Sequence, residues 1–419
     1  MAPSSTIPPL RHALVLLAAL AVALATLTAT SPARAAATPD APWVSGQQVA
    51  GGSVTVALDW DPVAGASSYD VWISTAGPDV YPGVDPHRVT LAGLPANHAD
   101  IRQLTPNTTY CFAVVVNGNG GPRSCKVTPP ASRAVVPTAL QTTAATFNLA
   151  CGSKSKCNSG WKWKKRQKKV VADIGRVDAD VMVFVEGHVA HKYGKKKRWI
   201  GKVMKKRGYT LACQTQKSKK RKLFSQTAYV RTSEYAVVGR KQNSKGTRFT
   251  MFGDRDHGFC QALVQHRATG KQVAVGAVHL RDGKGGADAL RQQETRYVVD
   301  RVSAAFPGVP TVLLGDYNAH RGLDRRGQTD TPRLVMESAG YADAVDIAAQ
   351  LIYPYLNSAH GFDTNPPRSS TWPTHVDRIF VSPGITVPRW ENVAVLAGGR
   401  YAAPMASDHN PVKATLYIP

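Results

Sequence analysis

Glu186, His279, Asp316, Asn318, Asp377, Asp408 and His409 all stand at the ends of short apolar runs, where a strand delivers a side chain to the rim of a sheet. Glu186 closes the run 181–185, His279 ends 273–278, Asp316 and Asn318 follow 311–314, Asp377 lies at the head of 376–382, and Asp408-His409 precede the run 412–417. Asn148 belongs to a further run, 146–150. A carboxylate closing a buried run must sit at a rim or face a positive partner, because burying it unpaired is costly. Carboxylates, amides and imidazoles gathered this way outline a metal and phosphate site. Hydrolysis of a phosphodiester at neutral pH needs the phosphate charge neutralised, the attacking water aligned and the leaving oxygen protonated or bound to metal. Hard oxygen donors beside a phosphate suit Mg²⁺ or Mn²⁺.

The elements that must position these groups form a layered α/β pattern. Runs at 146–150, 181–185, 272–279, 311–314, 376–382 and 412–417 are strand-like, and 287–306 places Leu290, Tyr297, Val298, Val302 and Phe306 near one helical face. Strand alternation puts Asp316 and Asn318 on one side if the chain stays extended between them. Spacing alone does not choose between a doubly wound sheet and a two-sheet sandwich.

The ordered set Asn148 in TFNLA, Val185-Glu186, His279 in AVHLRDG, Gly315-Asp316-Tyr317-Asn318, Asp377 in HVDRIFVS and Ser407-Asp408-His409-Asn410-Pro411 resembles the endonuclease/exonuclease/phosphatase superfamily over about 143–419. The resemblance implies a four-layer α/β/β/α sandwich with the site at one end of the paired sheets. It implies Glu186 as principal Mg²⁺ ligand, with Asp408 and Asn148 binding or orienting the metal. Asp316 and Asn318 would be the catalytic Asp and Asn, His409 would contact the scissile phosphate with Asp377 fixing its tautomer, and His279 would serve the leaving oxygen. Val185 and Val278 depart from the Gln and hydroxyl residue common in the family. His188, His257 and His360 match no motif and read as surface or core histidines.

Charge points to a polyanion. The chain holds 52 Lys/Arg and 28 Asp/Glu, and residues 1–145 carry seven of each, so the whole +24 excess lies in the rest. It is densest between Lys154 and Arg248, in runs that include Lys162, Lys164, Lys165 and Arg166, then 195–198, then Lys217, Lys219, Lys220, Arg221 and Lys222. With Trp161, Trp163 and Trp199 nearby, these runs suit backbone contact and base stacking on a nucleic acid. The leading expectation is a metal-dependent nuclease. The alternatives are a sphingomyelinase-like phospholipase C, with 351–356 as an aromatic loop on an anionic lipid surface, and a non-catalytic binding or adhesion module.

Residues 1–35 read as a signal peptide, with Arg11, an apolar run from Ala13 to Leu27 and small residues around Ala33-Arg34-Ala35, and no later run is long enough to span a bilayer. A secreted protein follows. Six cysteines fit an oxidising compartment, and local spacing suggests the pairs Cys111–Cys125, Cys151–Cys157 and Cys213–Cys260 rather than zinc ligands. Residues 42–129 show six short strand-like segments. Trp60, Tyr69 and the stretch 104–110 are similar to the core Trp, core Tyr and tyrosine corner of a fibronectin type III sandwich. This module shows no chemistry and reads as a spacer or a surface-binding unit. Residues 130–142, rich in Ala, Ser, Thr and Pro, read as an extended linker with few contacts.

Overall fold

The structure is a computed structural model that describes residues 38–75, 89–94, 96–130, 138–150, 163–187, 199–215, 226–239, 246–253, 257–283, 287–366 and 372–419. The expected signal peptide, the Cys151–Cys157 pair, His188, Trp161, Lys162 and the cluster from Lys217 to Lys222 lie outside the described residues. Among the described residues no helix is long and apolar enough to cross a membrane.

Two mixed sheets face each other across one apolar core. The first runs Tyr209–Gln214, Thr227–Arg231, Val181–Val185, Leu140–Asn148, Val412–Ile418, Thr386–Asn392 and Gln350–Ile352. The second contains Tyr235–Val238, Gly258–His266, Gln272–His279, Thr311–Asp316, Asp377–Val381 and Ala342–Asp343 in order. Strands 181–185 and 311–316 are buried on both faces, which explains why they read as unbroken apolar runs rather than alternations. Helices Trp163–Val177 and Trp199–Lys206 cover the outside of the first sheet through Val170, Ile174, Val177, Ile200 and Met204. Helix Ala287–Ala305 and helix Thr331–Ser338 cover the second through Val298, Val302 and Met336. The disulfide Cys213–Cys260 joins the two sheets.

The N-terminal region is a smaller sandwich. Trp43–Ala50, Ser53–Asp59 and His98–Leu104 face a second sheet built on Tyr69–Ser74 and Thr109–Val116. Trp60 packs edge-on against Tyr69 at 5.5 Å, and the Tyr110 hydroxyl accepts from Thr105 N at 3.0 Å. Cys111 and Cys125 are disulfide-bonded directly opposite each other on adjacent strands.

This sandwich does not stand off from the larger fold. Strand Trp43–Ala50 pairs with Gln350–Ile352 through Gly46 and Gln350, which extends the first sheet to ten strands among the described residues. The apolar interior is continuous as well: Val44, Val54, Trp60 and Phe112 belong to the same buried cluster as Ala344, Leu351 and Trp390. The expected linker ends early, because strand Leu140–Asn148 begins before Thr143.

Candidate active site

Sheet register brings the singled-out residues to one level. In the second sheet His279 is paired with Asp316, and Asp316 with Asp377, across three adjacent strands. In the first, Asn148 is paired with Val185, which precedes Glu186, while Thr146 is paired with Val412, just beyond the Asp408-His409 turn. Both rims therefore deliver polar groups to the same end. Gly315 permits the close approach in the middle: at φ 154° a Cβ would stand 1.7 Å from Val278 O.

Asn148 bridges the two rims. Its Nδ2 donates to Asp316 Oδ2 at 3.0 Å and reaches Glu186 Oε1 at 3.4 Å, while its Oδ1 accepts from Ala150 N at 2.9 Å. Glu186 itself adopts φ 54°, a left-handed conformation that an L-residue holds only under constraint and that turns the carboxylate out of its strand. His409 Nδ1 lies 2.6 Å from Asp377 Oδ2, and His279 Nε2 lies 3.7 Å from Asp316 Oδ2. Two buried serines hold the turns: Ser358 Oγ accepts from Asp377 N at 3.0 Å, and Ser407 Oγ donates to Asn148 O at 2.7 Å.

The electrostatics follow from crowding like charges in a dry place. Burial and the adjacent Asp377 carboxylate push Asp316 well above the usual carboxylate range. Burial and Asp408 likewise push Glu186 up. For His409, burial would lower its proton affinity, yet Asp377, Asp408 and Asp316 outweigh that and raise it well above that of an ordinary imidazole.

One expectation needs correction. The chain does not stay extended from Asp316 to Asn318: Asn318 has φ 49°, its N–H donates to Asp316 Oδ1 at 2.8 Å, and its Nδ2 donates to Leu280 O at 2.9 Å. The two residues thus form a tight Asx-type turn rather than two teeth of one strand. His257 and His360, read as surface or core histidines, are half-buried beside the site. The His257 ring meets His279 edge-on at 4.3 Å, and His360 N donates to Asp408 O at 2.8 Å, with burial lowering its imidazole to about 4.

Arg166 is the clearest miss. Read as one more cation in a basic run, it is 2% exposed, and its Nη1 donates to Leu149 O at 3.1 Å and Ala406 O at 2.8 Å. It clamps the segment after Asn148 to the segment before Asp408. A signal existed, because Arg166, Val170, Ile174 and Val177 fall on one helical face. Trp199 packs against the core of its own helix layer. Of the expected nucleic-acid contacts, Lys165 is exposed on helix Trp163–Val177, and Lys164 lies in the same helix. A groove runs from His409 and His360 past Tyr401 to Lys169 and Arg176 on that helix.

The sequence profile described as "Endonuclease/Exonuclease/phosphatase family" matches residues 145–409. The chain belongs to this family. Members of the endonuclease/exonuclease/phosphatase family are phosphoester hydrolases and usually depend on a divalent metal. Among solved structures, the chain is similar to a family protein from Bacteroides thetaiotaomicron at 16% identity and TM-score 0.50, covering 67% of this chain and 99% of that one. It is also similar to a mannosyl-6-phosphatase of Bacteroides thetaiotaomicron VPI-5482, at 18% identity and TM-score 0.49 over 66% of this chain and 99% of that one. A third likeness is to D. rerio TDP2 complexed with a single-strand DNA product, at 17% identity and TM-score 0.44 over 66% and 98%. The first of these likenesses bears on the fold alone. No curated protein matches the chain.

The carboxylates fit the metal that the family usually employs. Glu186 and Asp408 offer hard oxygens, the Asp408 charge acting on Glu186 calls for a cation nearby, and Asn148, whose Oδ1 is engaged by Ala150 N, orients Glu186 through Nδ2. Asp316, Asp377 and His409 also bring one donor atom each within 4.8 Å of one another. Asp377 and His409 are already bonded to each other, so that trio suits proton transfer better than metal binding.

Proposed function

We propose that this protein is an exported, divalent-metal-dependent phosphodiesterase that acts on nucleic acid. The observation that carries the hydrolytic reading is the Asn148 amide, which ties Asp316 on one sheet to Glu186 on the other and so joins a catalytic carboxylate to a metal-binding one. Glu186 and Asp408 would hold Mg²⁺ or Mn²⁺, which when bound supplies charge neutralisation for the phosphate.

The remaining work falls to side chains of this chain. Asp316, its proton affinity raised by burial and Asp377, takes a proton from the attacking water as the new O–P bond forms. Asn318 N–H and the Asn148 amide hold that carboxylate in place. Asp377 engages His409 Nδ1, which leaves Nε2 as the nitrogen that donates to a phosphate oxygen. His279 gives a proton to the leaving oxygen as the P–O bond breaks.

Nucleic acid is favoured as substrate because the groove beside His409 leads to Lys169, next to the Arg176–Asp173 ion pair, on a helix that also exposes Lys165 and Lys168. The sphingomyelinase alternative loses support: within 351–356 only Tyr353 is exposed, at 39%, and the Tyr355 ring packs tilted against Trp43 of the N-terminal sandwich at 4.8 Å. For that sandwich we infer a fibronectin type III relationship, supported by the Trp60–Tyr69 contact and the Tyr110 hydroxyl corner. Export is supported by the two disulfides. Incubating the purified protein and Mg²⁺ separately with DNA, RNA and sphingomyelin, followed by product analysis, tests the substrate. Cleavage of sphingomyelin alone would reject the nuclease.

A further inference from the structure

The seam between the N-terminal sandwich and the catalytic fold contains a buried ionic network that ends at the active site. Lys126, on strand Ser124–Val127 of the sandwich, sends its ammonium into the larger domain, where Nζ donates to Val345 O at 2.7 Å and Asp346 Oδ1 at 3.1 Å. Both acceptors belong to the short helix Ala344–Ile347. Gln47, on strand Trp43–Ala50 of the other sheet of the sandwich, grips the same segment, with Nε2 donating to Asp346 O at 2.9 Å and Ala348 O at 2.7 Å.

That helix feeds two branches. Asp346 Oδ2 pairs with Arg321, which lies on the segment after the Asp316–Asn318 turn and stands over the Trp372 ring at 5.5 Å. Asp343, the residue that caps the helix, binds Arg378 Nε through Oδ2 at 2.7 Å, and Arg378 Nη1 also binds Asp330 Oδ1 at 2.8 Å. Arg378 is the next residue after Asp377, the partner of His409. The Lys126, Arg321 and Asp346 side chains are at most 14% exposed, and those of Asp330, Asp343 and Arg378 at most 3%. A charge network this dry has few alternative arrangements, since each member that moves leaves another buried charge uncompensated.

We propose that the N-terminal sandwich is a positioning element of the catalytic centre, with Lys126 as the positioning residue that fixes helix Ala344–Ile347 and, through Arg321 and Arg378, the Asn318 and Asp377 segments. The inference rests on the phosphodiesterase reading for its kinetic consequence and on the geometry alone for its structural one. The sandwich is thereby more than a tethered spacer. It replaces, from a distant part of the chain, the kind of outer support that fixes working side chains elsewhere in metal-dependent enzymes, where loss of such support costs about 10- to 100-fold.

Lys126→Met in the full chain removes one cation, keeps most of the side-chain volume, and leaves Asp346 paired with Arg321, so it is the variant best placed to fold. Two measurements are made on it and on Lys126→Arg. In hydrogen–deuterium exchange, amides of 318–323 and 372–378 should exchange faster in Lys126→Met, with Lys126→Arg restoring protection. Against bis(4-nitrophenyl) phosphate and Mg²⁺, kcat should fall about 10-fold or more while KM stays within about twofold. Faster exchange confined to 344–352, or a lowered Tm with unchanged kcat well below it, would overturn the proposal by making Lys126 a structural residue only. If the wild type hydrolyses no phosphodiester, the functional reading fails, and the exchange pattern still decides the positioning claim.

Discussion

Two regions of this molecule concentrate buried charge, and they treat it in opposite ways. At the domain seam every carboxylate meets a cation: Asp346 meets Lys126 and Arg321, and Asp343 and Asp330 share Arg378. At the sheet rims burial, reinforced by like charges that crowd together, Asp316 against Asp377 and Glu186 against Asp408, raises proton affinities. Compensated charge specifies how parts fit, whereas uncompensated charge at a cleft is poised for metal, phosphate or proton. The contrast yields distinct expectations for mutation in each place.

The largest effect should come at the rims from removing the metal site. Chelation, or Glu186→Ala, should abolish phosphodiester turnover while circular dichroism and Tm stay near wild type; full activity after exhaustive chelation would remove the metal from the chemistry. Asp316→Asn and His409→Ala come next, with an expected loss of about 10² to 10⁴ in kcat. Because Asp316→Asn relieves repulsion, its Tm should not fall, and a marked drop in Tm would place Asp316 with the seam instead. At the seam the order inverts. Arg378→Met should destabilise the fold by about 3–5 kcal/mol, since it strands Asp343 without its cation and leaves Asp330 with Arg333 alone, as denaturant titration would reveal.

The pH response sharpens the same distinction. Burial alone would raise Asp330 and Asp346, but Arg378 in one case and Arg321 with Lys126 in the other outweigh it and hold both below the usual carboxylate range. A depressed folded value means that their stabilisation is complete above the unfolded value of about 3.9 and is lost as pH falls through the folded values. Asp343, which burial raises despite Arg378, acts in the opposite sense, so the drop in Tm expected below about pH 4 is the contribution of Asp330 and Asp346. In Arg378→Met that acid-side drop should be shallower. The smallest effect concerns the exposed cations. In the inactive Asp316→Asn background, neutralising Lys165, Lys168 and Lys169 should flatten the log–log salt dependence of DNA binding by up to about 2.7, with no change in Tm. An unaltered slope would return that helix face to plain solvation.

How far the sequence reaches depends on whether a residue's role is local. Glu186, His279 and Asp316 were legible because each closes an apolar strand and Asp377 because it opens one, and such a buried run announces its own ends. Asp408-His409 was legible from its surrounding motif. Arg166 was obscured by its lysine neighbours, although it falls on the apolar face of its helix, and Asn318 by a turn that breaks the alternation. Strand Trp43–Ala50 was also missed. With Gly46 and two glutamines it has little strand character of its own and is stabilised by partners on either side, one of them in the other domain. The network behind the site was illegible because its members come from distant segments, Asp330, Asp343, Asp346 and Arg378 within the larger domain and Lys126 from the sandwich, which meet only in the folded chain.

The shared sheet also imposes an order on biosynthesis. Gln47 acts on Ala348, 301 residues downstream, so the small sandwich leaves the ribosome with one strand edge uncovered and keeps it so until most of the chain has been made. An open edge of that kind invites pairing with the wrong chain. The edge is made unattractive by its own residues, since Gly46 presents no side chain and Gln47 presents an amide rather than an apolar surface. Translation delays placed before residue 350 should therefore be the condition under which this protein is most prone to self-associate.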